Sequence, residues 1–500
     1  MDTKNYDLII IGAGPSGLSL SHYMRDTYKK ILIIERENSI GGAHRVERVP
    51  FQNEFLFTEH SPRIYVSNYI SFIKILDEIN YNFYDNFTPY NYNLLNIVTK
   101  TILPIFTFKE FFVFFLEFIK LLYNSEHGSN YNLKKFLDNN NFSSESIDII
   151  DRICRLSDGA GIDKFNLNEL FQIFNQSFFY KIYEPKIPND IGLFKNWNDF
   201  LLKSGVEIKT NTKIKNIILD NGNKNIKSII ISEKNINTEI FCSKLVIATP
   251  PRNIVEILDS TNNDFIKNCF GDFNILKSYA SNTEYNLYIS ITFHWNRKIN
   301  LDKVYGFPFS DWGIIFINMT DYMEFNEINS KTVLSTSISI TDRKSSFTNK
   351  TANESTKEEL INEVLRQLKL YIKNLENPTA SIVYPGIYYD YTLKQWKSDN
   401  SGFISTSNDG FLDFESKSIN GIYNLGIHNG FQSTRYTVLE SAICSSIKLS
   451  HILDPSLKNK YKIDKPFDLI SFIKIIIIFI LFIIIYIYVK RRNFKLFKEN

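Results

Sequence analysis

Leu8-Ile9-Ile10-Ile11 runs straight into Gly12-Ala13-Gly14-Pro15-Ser16-Gly17, and few local structures accommodate such a sequence. The apolar, β-branched run reads as a buried parallel strand. Beyond the glycines, Leu18 to Met24 reads as a helix packed back on the sheet, and a second apolar run, Ile31 to Ile34, ends in Glu35. Strand, glycine loop, helix, strand and acid in that order describe a dinucleotide-binding βαβ unit. Gly12 permits the tight turn, Gly14 lets backbone approach a diphosphate, and Gly17 lets helix and strand pack closely. Amides at the helix start face the phosphates, with the positive end of the helix dipole behind them. Pro15 and Ser16 therefore join the three glycines as candidate cofactor contacts. Glu35 is placed to accept hydrogen bonds from both hydroxyls of a ribose, and it would repel a 2′-phosphate. A glycine triplet alone is also compatible with a turn that binds nothing; the flanking strands and the acid favour the ligand.

The residues just past Glu35 narrow that ligand. Arg36-Glu37-Asn38-Ser39-Ile40-Gly41-Gly42-Ala43-His44-Arg45 resembles the second glycine signature of the flavin amine oxidase superfamily, which also holds protoporphyrinogen oxidases, phytoene desaturases and squalene-type oxidases. The resemblance implies FAD, with the glycine pair beneath its phosphate and ribityl chain and a basic residue near the phosphates. Arg36, Gly41, Gly42 and Arg45 become cofactor candidates on that ground. The fold it implies is α/β: a Rossmann-like FAD-binding domain interleaved with an α+β substrate domain, to which an apolar C-terminal tail adds one transmembrane helix.

At 500 residues the chain is too long for one compact core, so two interleaved domains are expected. The formal net charge of +3 is near balance and much of the excess lies at the C-terminus, which argues against a general nucleic-acid surface. Cys154, Cys242, Cys269 and Cys444 are scattered, without CxxC or histidine pairing, so neither a disulfide framework nor a structural zinc site is expected. Met1 to Asn5 leads almost at once into the first strand, leaving no room for a secretory signal.

The expected order is an FAD-binding part at 1–65, a mainly helical substrate part at 66–190, a second FAD-binding part at 191–260, a sheet part of the substrate domain at 261–400, and a closing FAD-binding part at 401–455. Within the helical part, Thr101 to Tyr123 is strongly apolar and aromatic, but Lys109, Glu110, Glu117 and Lys120 interrupt it, so it does not read as a membrane span. A core helix and an interfacial helix admitting a lipid-soluble substrate both fit it.

Lys213 to Ile218, the turn Asp220-Asn221-Gly222, Ser228 to Ser232 and Lys244 to Ala248 read as returning strands. They resemble the superfamily's return to its FAD domain, which makes Ile214 an adenine contact through its backbone and Thr249, in Ala248-Thr249-Pro250-Pro251, a neighbour of the cofactor. Leu287 to Trp295 alternates like a half-buried strand. Its counterpart in many amine oxidases carries a lysine that holds a water at the flavin, and no lysine occurs between Tyr285 and Trp295. Trp312, Tyr388, Tyr389, Tyr391 and Trp396 fit either an apolar pocket or an ordinary core.

Gly421 to Gly430 and Tyr436 to Ser446 resemble the superfamily's closing motif, with Gly426, Glu440 and Ala442 in place. The acid expected after Gly426 is absent and Ile427-His428 stands there, so Gly426 and His428 are the candidates at the ribityl chain. Catalytic residues are not evident; His60, His294 and Tyr436 are the polar candidates, each equally compatible with a structural role.

After a linker at 456–466 comes Phe467 to Val489, dominated by Ile and Phe, and then a basic tail at 490–500. At about 1.5 Å per residue this helix spans roughly 35 Å, enough for a bilayer. It predicts a tail-anchored, single-pass protein with its globular part in the cytosol.

Together these features imply a membrane-anchored FAD-dependent oxidoreductase that oxidises a C–N or C–C bond of a small or lipid-soluble substrate by hydride transfer, with reoxidation by oxygen. The alternatives are an isoprenoid or porphyrinogen desaturase, a flavin-dependent nucleotide-sugar mutase, and a flavin-less protein resembling prenyl-protein escorts.

Overall fold

The computed structural model describes residues 5–61, 63–92, 98–261, 263–282, 284–285, 288–299, 301, 310–398, 403–404, 412–430 and 438–496. Three elements carry the opening motif: strand β1 (Asn5–Ile11), helix α1 (Pro15–Met24) and strand β2 (Ile31–Ile34). They start a parallel sheet in the order Glu207–Lys209, β2, β1, Ile236–Ile247, with Ile422–Asn424 added parallel beyond the last of these. Thr212–Leu219, Ile226–Glu233 and Ile236–Ile247 form an antiparallel meander, so the last strand serves both arrangements. The chain thus returns twice to the sheet it began.

Side-chain alternation along these strands divides the core. Leu8, Ile10, Ile31, Ile33 and Val246 face α1 and the helices Leu193–Lys203 and Leu439–Leu453, whereas Ile9, Leu32, Leu245 and Ile247 face the opposite layer. That second layer contains Ile254, Leu258, Ile266, Phe270, Phe273 and Leu276. Helical chain as far as Asn282 therefore packs under the nucleotide sheet, beyond the expected boundary at residue 260, because its apolar face matches that side of the strands.

The substrate side is built on an antiparallel sheet in the order Ile314–Asn318, Thr332–Ile338, Ile289–Trp295, Ala380–Val383. The expectation of a half-buried strand needs correcting here, since every residue from Ile289 to Trp295 is buried. Ile289, Ile291, Phe293 and Trp295 enter a core with the helix Lys357–Tyr371. The alternate residues meet the hairpin Val46–Phe51 and Glu54–Glu59: Thr292 is 2.9 Å from Thr58, Ser290 donates to the His60 carbonyl, and His294 Nε2 lies 2.9 Å from the Phe57 carbonyl. The polar half of the alternation faces protein instead of water. Trp312 and Trp396 are core residues, while Tyr388 and Tyr391 are exposed, so these aromatics do not line one pocket.

The helix Leu439–Leu453 ties the two ends of the chain together. It lies along α1, where small residues permit close approach and Ser446 Oγ donates to the Ser16 carbonyl at 2.9 Å while Ser19 Oγ meets Ser446 at 2.8 Å. Glu440, fully buried, accepts the backbone N–H groups of Ser71 (2.7 Å) and Phe72 (2.9 Å) in the first turn of Ile70–Glu78. It supplies from a distant segment the anion that this helix start lacks locally. Burial pushes the Glu440 carboxyl upward, and the two amides oppose that shift.

Glu440→Ala leaves two buried N–H groups without acceptors and is expected to cost about 3 kcal/mol of stability. Urea unfolding of the variant beside the parent measures it; a difference near zero would show the cap to be dispensable.

Candidate functional site

Residues 8–24 are buried with three exceptions, Gly14, Pro15 and Ser16, which lie at the C-terminal edge of β1. The loop is open only where a ligand would touch it. Gly12 has φ +106°, and a Cβ there would stand 2.5 Å from the Ala248 carbonyl oxygen. A Cβ on Gly17 would stand 2.0 Å from the Gly12 carbonyl. Gly14 differs, since among the described residues its Cβ would meet only the Gly42 Cα, at 3.6 Å. The first and third glycines are therefore required by packing, and the middle one keeps a surface bare. Pro15, at the first helical position, forfeits only an N–H that the helix could not use.

The second glycine pair is bound to the first. Gly41 donates its N–H to the Ala13 carbonyl at 2.9 Å, at φ +117° with a Phe194 ring carbon only 2.9 Å from where its Cβ would be. Gly42 then passes Gly14 so closely that its own Cβ would lie 2.9 Å from the Gly14 Cα. Glu35 closes the arrangement. Its Oε2 accepts the Ala13 N–H at 2.8 Å and its Oε1 the Glu37 N–H at 3.0 Å, so the carboxylate faces the loop and steadies it, with acceptor capacity left on both oxygens.

The other expected contacts divide. Arg45 is 2% exposed; its Nε donates to Glu47 Oε1 at 2.8 Å, and its Nη2 has no hydrogen-bond partner among the described residues. Thr249 lies beside Gly12, its Oγ1 similarly without a partner among them. Ile214 sits on the meander just after Thr212, whose N–H reaches the Glu35 carbonyl at 2.9 Å, so its backbone runs near the acid. Arg36 pairs through Nε with Glu37 at 2.9 Å. Gly426 receives the Asn429 Oδ1 at its N–H (2.8 Å), and His428 is fully buried with Nε2 3.0 Å from Asn424 Oδ1. Burial holds His428 down at about 3, a neutral ring built into its loop.

Past Arg45 the unpartnered polar atoms continue. His44 Nδ1, Arg63 Nε, Glu59 Oε1 and Glu184 Oε2 are buried and without hydrogen-bond partners among the described residues. They converge from the second glycine loop, the hairpin end and the strand Ile182–Pro185. Arg63 donates to the Ala43 carbonyl and Tyr92 donates to Glu184 Oε1, while the His60 ring lies 5.7 Å from that of Tyr384. Buried polar groups are almost always bonded, so a cluster of exceptions marks where a ligand or water belongs. Burial raises Glu59 to about 8, against the opposing pull of Arg63, and raises Glu184 as well. Burial also keeps His44 neutral, with Arg63 and His60 reinforcing the effect.

Of the catalytic candidates, His60 lies beside this cluster, its ring facing that of Tyr384. His294 does not: Nδ1 faces Ser330 Oγ at 2.9 Å and Nε2 the Phe57 carbonyl, so both ring nitrogens serve the fold. Tyr436 lies outside the described residues. Glu59 and Glu184 were not among the expected site residues; no local motif surrounds either, and only the fold brings them together.

A family model described as an NAD(P)-binding Rossmann-like domain matches residues 10–79. UDP-galactopyranose mutase of Mycoplasma genitalium is 31% identical over 83 residues, a match covering 16% of this chain and 20% of that protein. The chain thus matches about a fifth of that curated relative's length. Among solved structures, putrescine oxidase bound to putrescine is similar over 90% of this chain and 99% of that one, with TM-score 0.56 at 13% identity. Cyclohexylamine oxidase from Brevibacterium oxydans covers 91% and 99%, with TM-score 0.56 at 11% identity. About nine-tenths of the chain shares the fold of these amine oxidases.

Two expectations separate the roles of these groups. Gly17→Ala should lose at least about 3 kcal/mol, since backbone must move to admit the methyl group. Gly14→Val should leave the melting temperature of ligand-free protein unchanged while abolishing dinucleotide binding in a calorimeter. Glu59 binds a proton when folded at pH values where the unfolded chain has lost it, so its burial makes stability fall as pH rises from 4.5 to about 8. The expected slope is at most roughly 1.4 kcal/mol per pH unit. Glu59→Gln should flatten that part of the profile in thermal melts of ligand-free protein, and an unchanged slope would contradict the assignment.

Proposed function

We propose that this chain is an FAD-dependent oxidoreductase, held to a membrane by its C-terminal helix, that oxidises a C–N or C–C bond of a small or lipid-soluble substrate. The observation that carries this reading is the line of buried, unpartnered polar atoms running from the paired glycine loops to Glu59 and Glu184. A bound dinucleotide and a substrate beyond it would satisfy them. On this reading the amides after Gly14 hold the diphosphate with Arg45, Glu35 takes the ribose hydroxyls, the Ile214 backbone meets the adenine, and Thr249 borders the cofactor. When bound, FAD supplies the two-electron acceptor, with oxygen as its reoxidant, while the protein supplies position and electrostatics.

The substrate end favours a cation. Glu59 is near enough to raise the proton affinity of Glu184, and Tyr92 donates to Glu184. A positively charged amine brought among them would favour their ionised forms and recover part of their desolvation cost. A nucleotide sugar would bring a diphosphate toward two buried carboxyls, which counts against the mutase reading despite the amino-terminal likeness to such an enzyme. The strand Ile289–Trp295 offers no lysine, and its Ser290 and Thr292 are engaged with the hairpin. Any water at the reacting centre would be held by the Glu59 cluster instead.

The membrane part rests on the tail. Leu469–Lys490 has mean hydropathy 3.1 and only 6% of its most apolar window is buried against protein, so lipid is its natural surroundings.

Detergent-purified protein is therefore expected to be yellow and to bleach anaerobically when given one substrate class from pools of primary amines, isoprenoids and porphyrinogens, with amines the expected class. Spectral change on UDP-galactopyranose without net reduction would instead support a mutase. Colourless protein that takes up no flavin would end the oxidoreductase reading.

A further inference from the structure

The helix Phe108–Tyr123 has its polarity reversed relative to that of a soluble protein. Its two carboxylates face inward. Glu110 accepts the Thr107 N–H at 2.6 Å, the Ser143 N–H at 2.7 Å and the Ser146 hydroxyl at 3.1 Å. Glu117 lies 2.6 Å from both Lys120 Nζ and His127 Nε2. One apolar side, with Phe114, Phe118 and Leu121, packs into the helical core. The other is largely uncovered among the described residues: Phe108 is 87% exposed and Phe115 59%, with Phe112 and Leu116 exposed beside them and Phe111 meeting the Phe106 ring at 5.6 Å. The charges that this helix leaves at its surface, Lys109 and Lys120, are both positive.

The helix also touches the tail. The tail helix packs against both Phe108–Tyr123 and Leu167–Ser177, and Ile470 is buried in their common core. Asn175 fixes the junction, its Oδ1 accepting the Ile470 N–H at 2.9 Å and its Nδ2 donating to Asp468 at 3.1 Å. Phe179, itself exposed, lies 5.4 Å from Phe467 and 5.3 Å from Phe472. Exposed aromatic rings thus stand beside the spanning helix where it leaves the globular part.

We propose that Phe108–Tyr123 lies in the interfacial layer of an anionic bilayer beside the point where the tail enters it, with its exposed phenylalanines among the acyl chains and Lys109 and Lys120 at the headgroups. A large apolar patch flanked by basic residues, with both acids withdrawn, is the composition of a helix lying in an interface. The contact of this helix with the spanning tail selects lipid over a soluble partner. This inference rests on the proposed membrane anchoring by the tail. It places the helical layer of the substrate domain against lipid, the side from which a lipid-soluble substrate would arrive.

All four native cysteines are buried, so single spin labels can be introduced cleanly. Phe112→Cys and Phe115→Cys are labelled in the full chain reconstituted into phosphatidylcholine–phosphatidylserine vesicles, with Ile480→Cys as the membrane reference and Phe347→Cys as the water reference. The expected result at 112 and 115 is loss of collision with a water-soluble nickel complex and gain of collision with oxygen, at depths between the two references. Nickel accessibility equal to that at 347, with 480 protected, would overturn the interfacial helix and leave the anchor standing. Protection from both reagents would overturn it in favour of a protein contact such as a second copy. Nickel accessibility at 480 would remove the anchor and this inference together.

Discussion

The hydrogen bond from the Ala13 N–H to the Glu35 carboxylate, 2.8 Å long and buried, is the contact on which the site depends. It fixes the glycine loop against the end of β2 and leaves Gly14 as bare backbone at the mouth. The second loop then docks on the first through Gly41 and the Ala13 carbonyl. A side chain at Gly12, Gly17 or Gly42 would meet backbone at under 3 Å, so the crossing of the two loops admits no substitute there. The closing helix Leu439–Leu453 braces the other side of α1 through Ser446 and reaches on to cap Ile70–Glu78 with Glu440. Residues from both ends of the chain thus hold one small surface in place.

From that surface the unpartnered groups lead into the substrate sheet. Leaving buried donors and acceptors unsatisfied costs about 1–3 kcal/mol each, which a fold of ordinary stability bears only where something repays it. Some lie elsewhere, such as Trp197 Nε1 and Trp312 Nε1, but those of Arg45, His44, Arg63, Glu59 and Glu184 follow one another from the glycine loops into the substrate sheet, and a bound ligand would account for that group. The carboxyls at the far end add a chemical preference, because groups kept protonated by burial gain most from a cation.

How much of this could be read from the sequence depends on how local each signal is. The glycine loop, both flanking strands and Glu35 were legible because their order and spacing are themselves the structure. The tail was legible because Ile475 to Val489 is apolar on every face. Glu59 and Glu184 were not, since nothing near either marks it and their meeting depends on how the hairpin and a remote short strand pack. His294 looked like a catalytic candidate because it stands on the strand whose family counterpart carries the lysine missing here, yet Ser330 and the Phe57 carbonyl engage both its ring nitrogens. The amphipathic segment Phe108–Tyr123 was ambiguous for a different reason. Its charges excluded a span but left a core helix and an interfacial helix both open, and the fold turns the acids inward while leaving Phe108, Phe112 and Phe115 exposed.

The central claim is that an adenine dinucleotide lies across the carboxyl edge of β1 and β2 with its diphosphate at Gly14. Mass analysis of what heat releases from protein purified under native conditions tests it most directly. One FAD per chain is the result the account predicts; FMN, a 2′-phosphorylated nicotinamide dinucleotide, or no nucleotide even after incubation with FAD would contradict it.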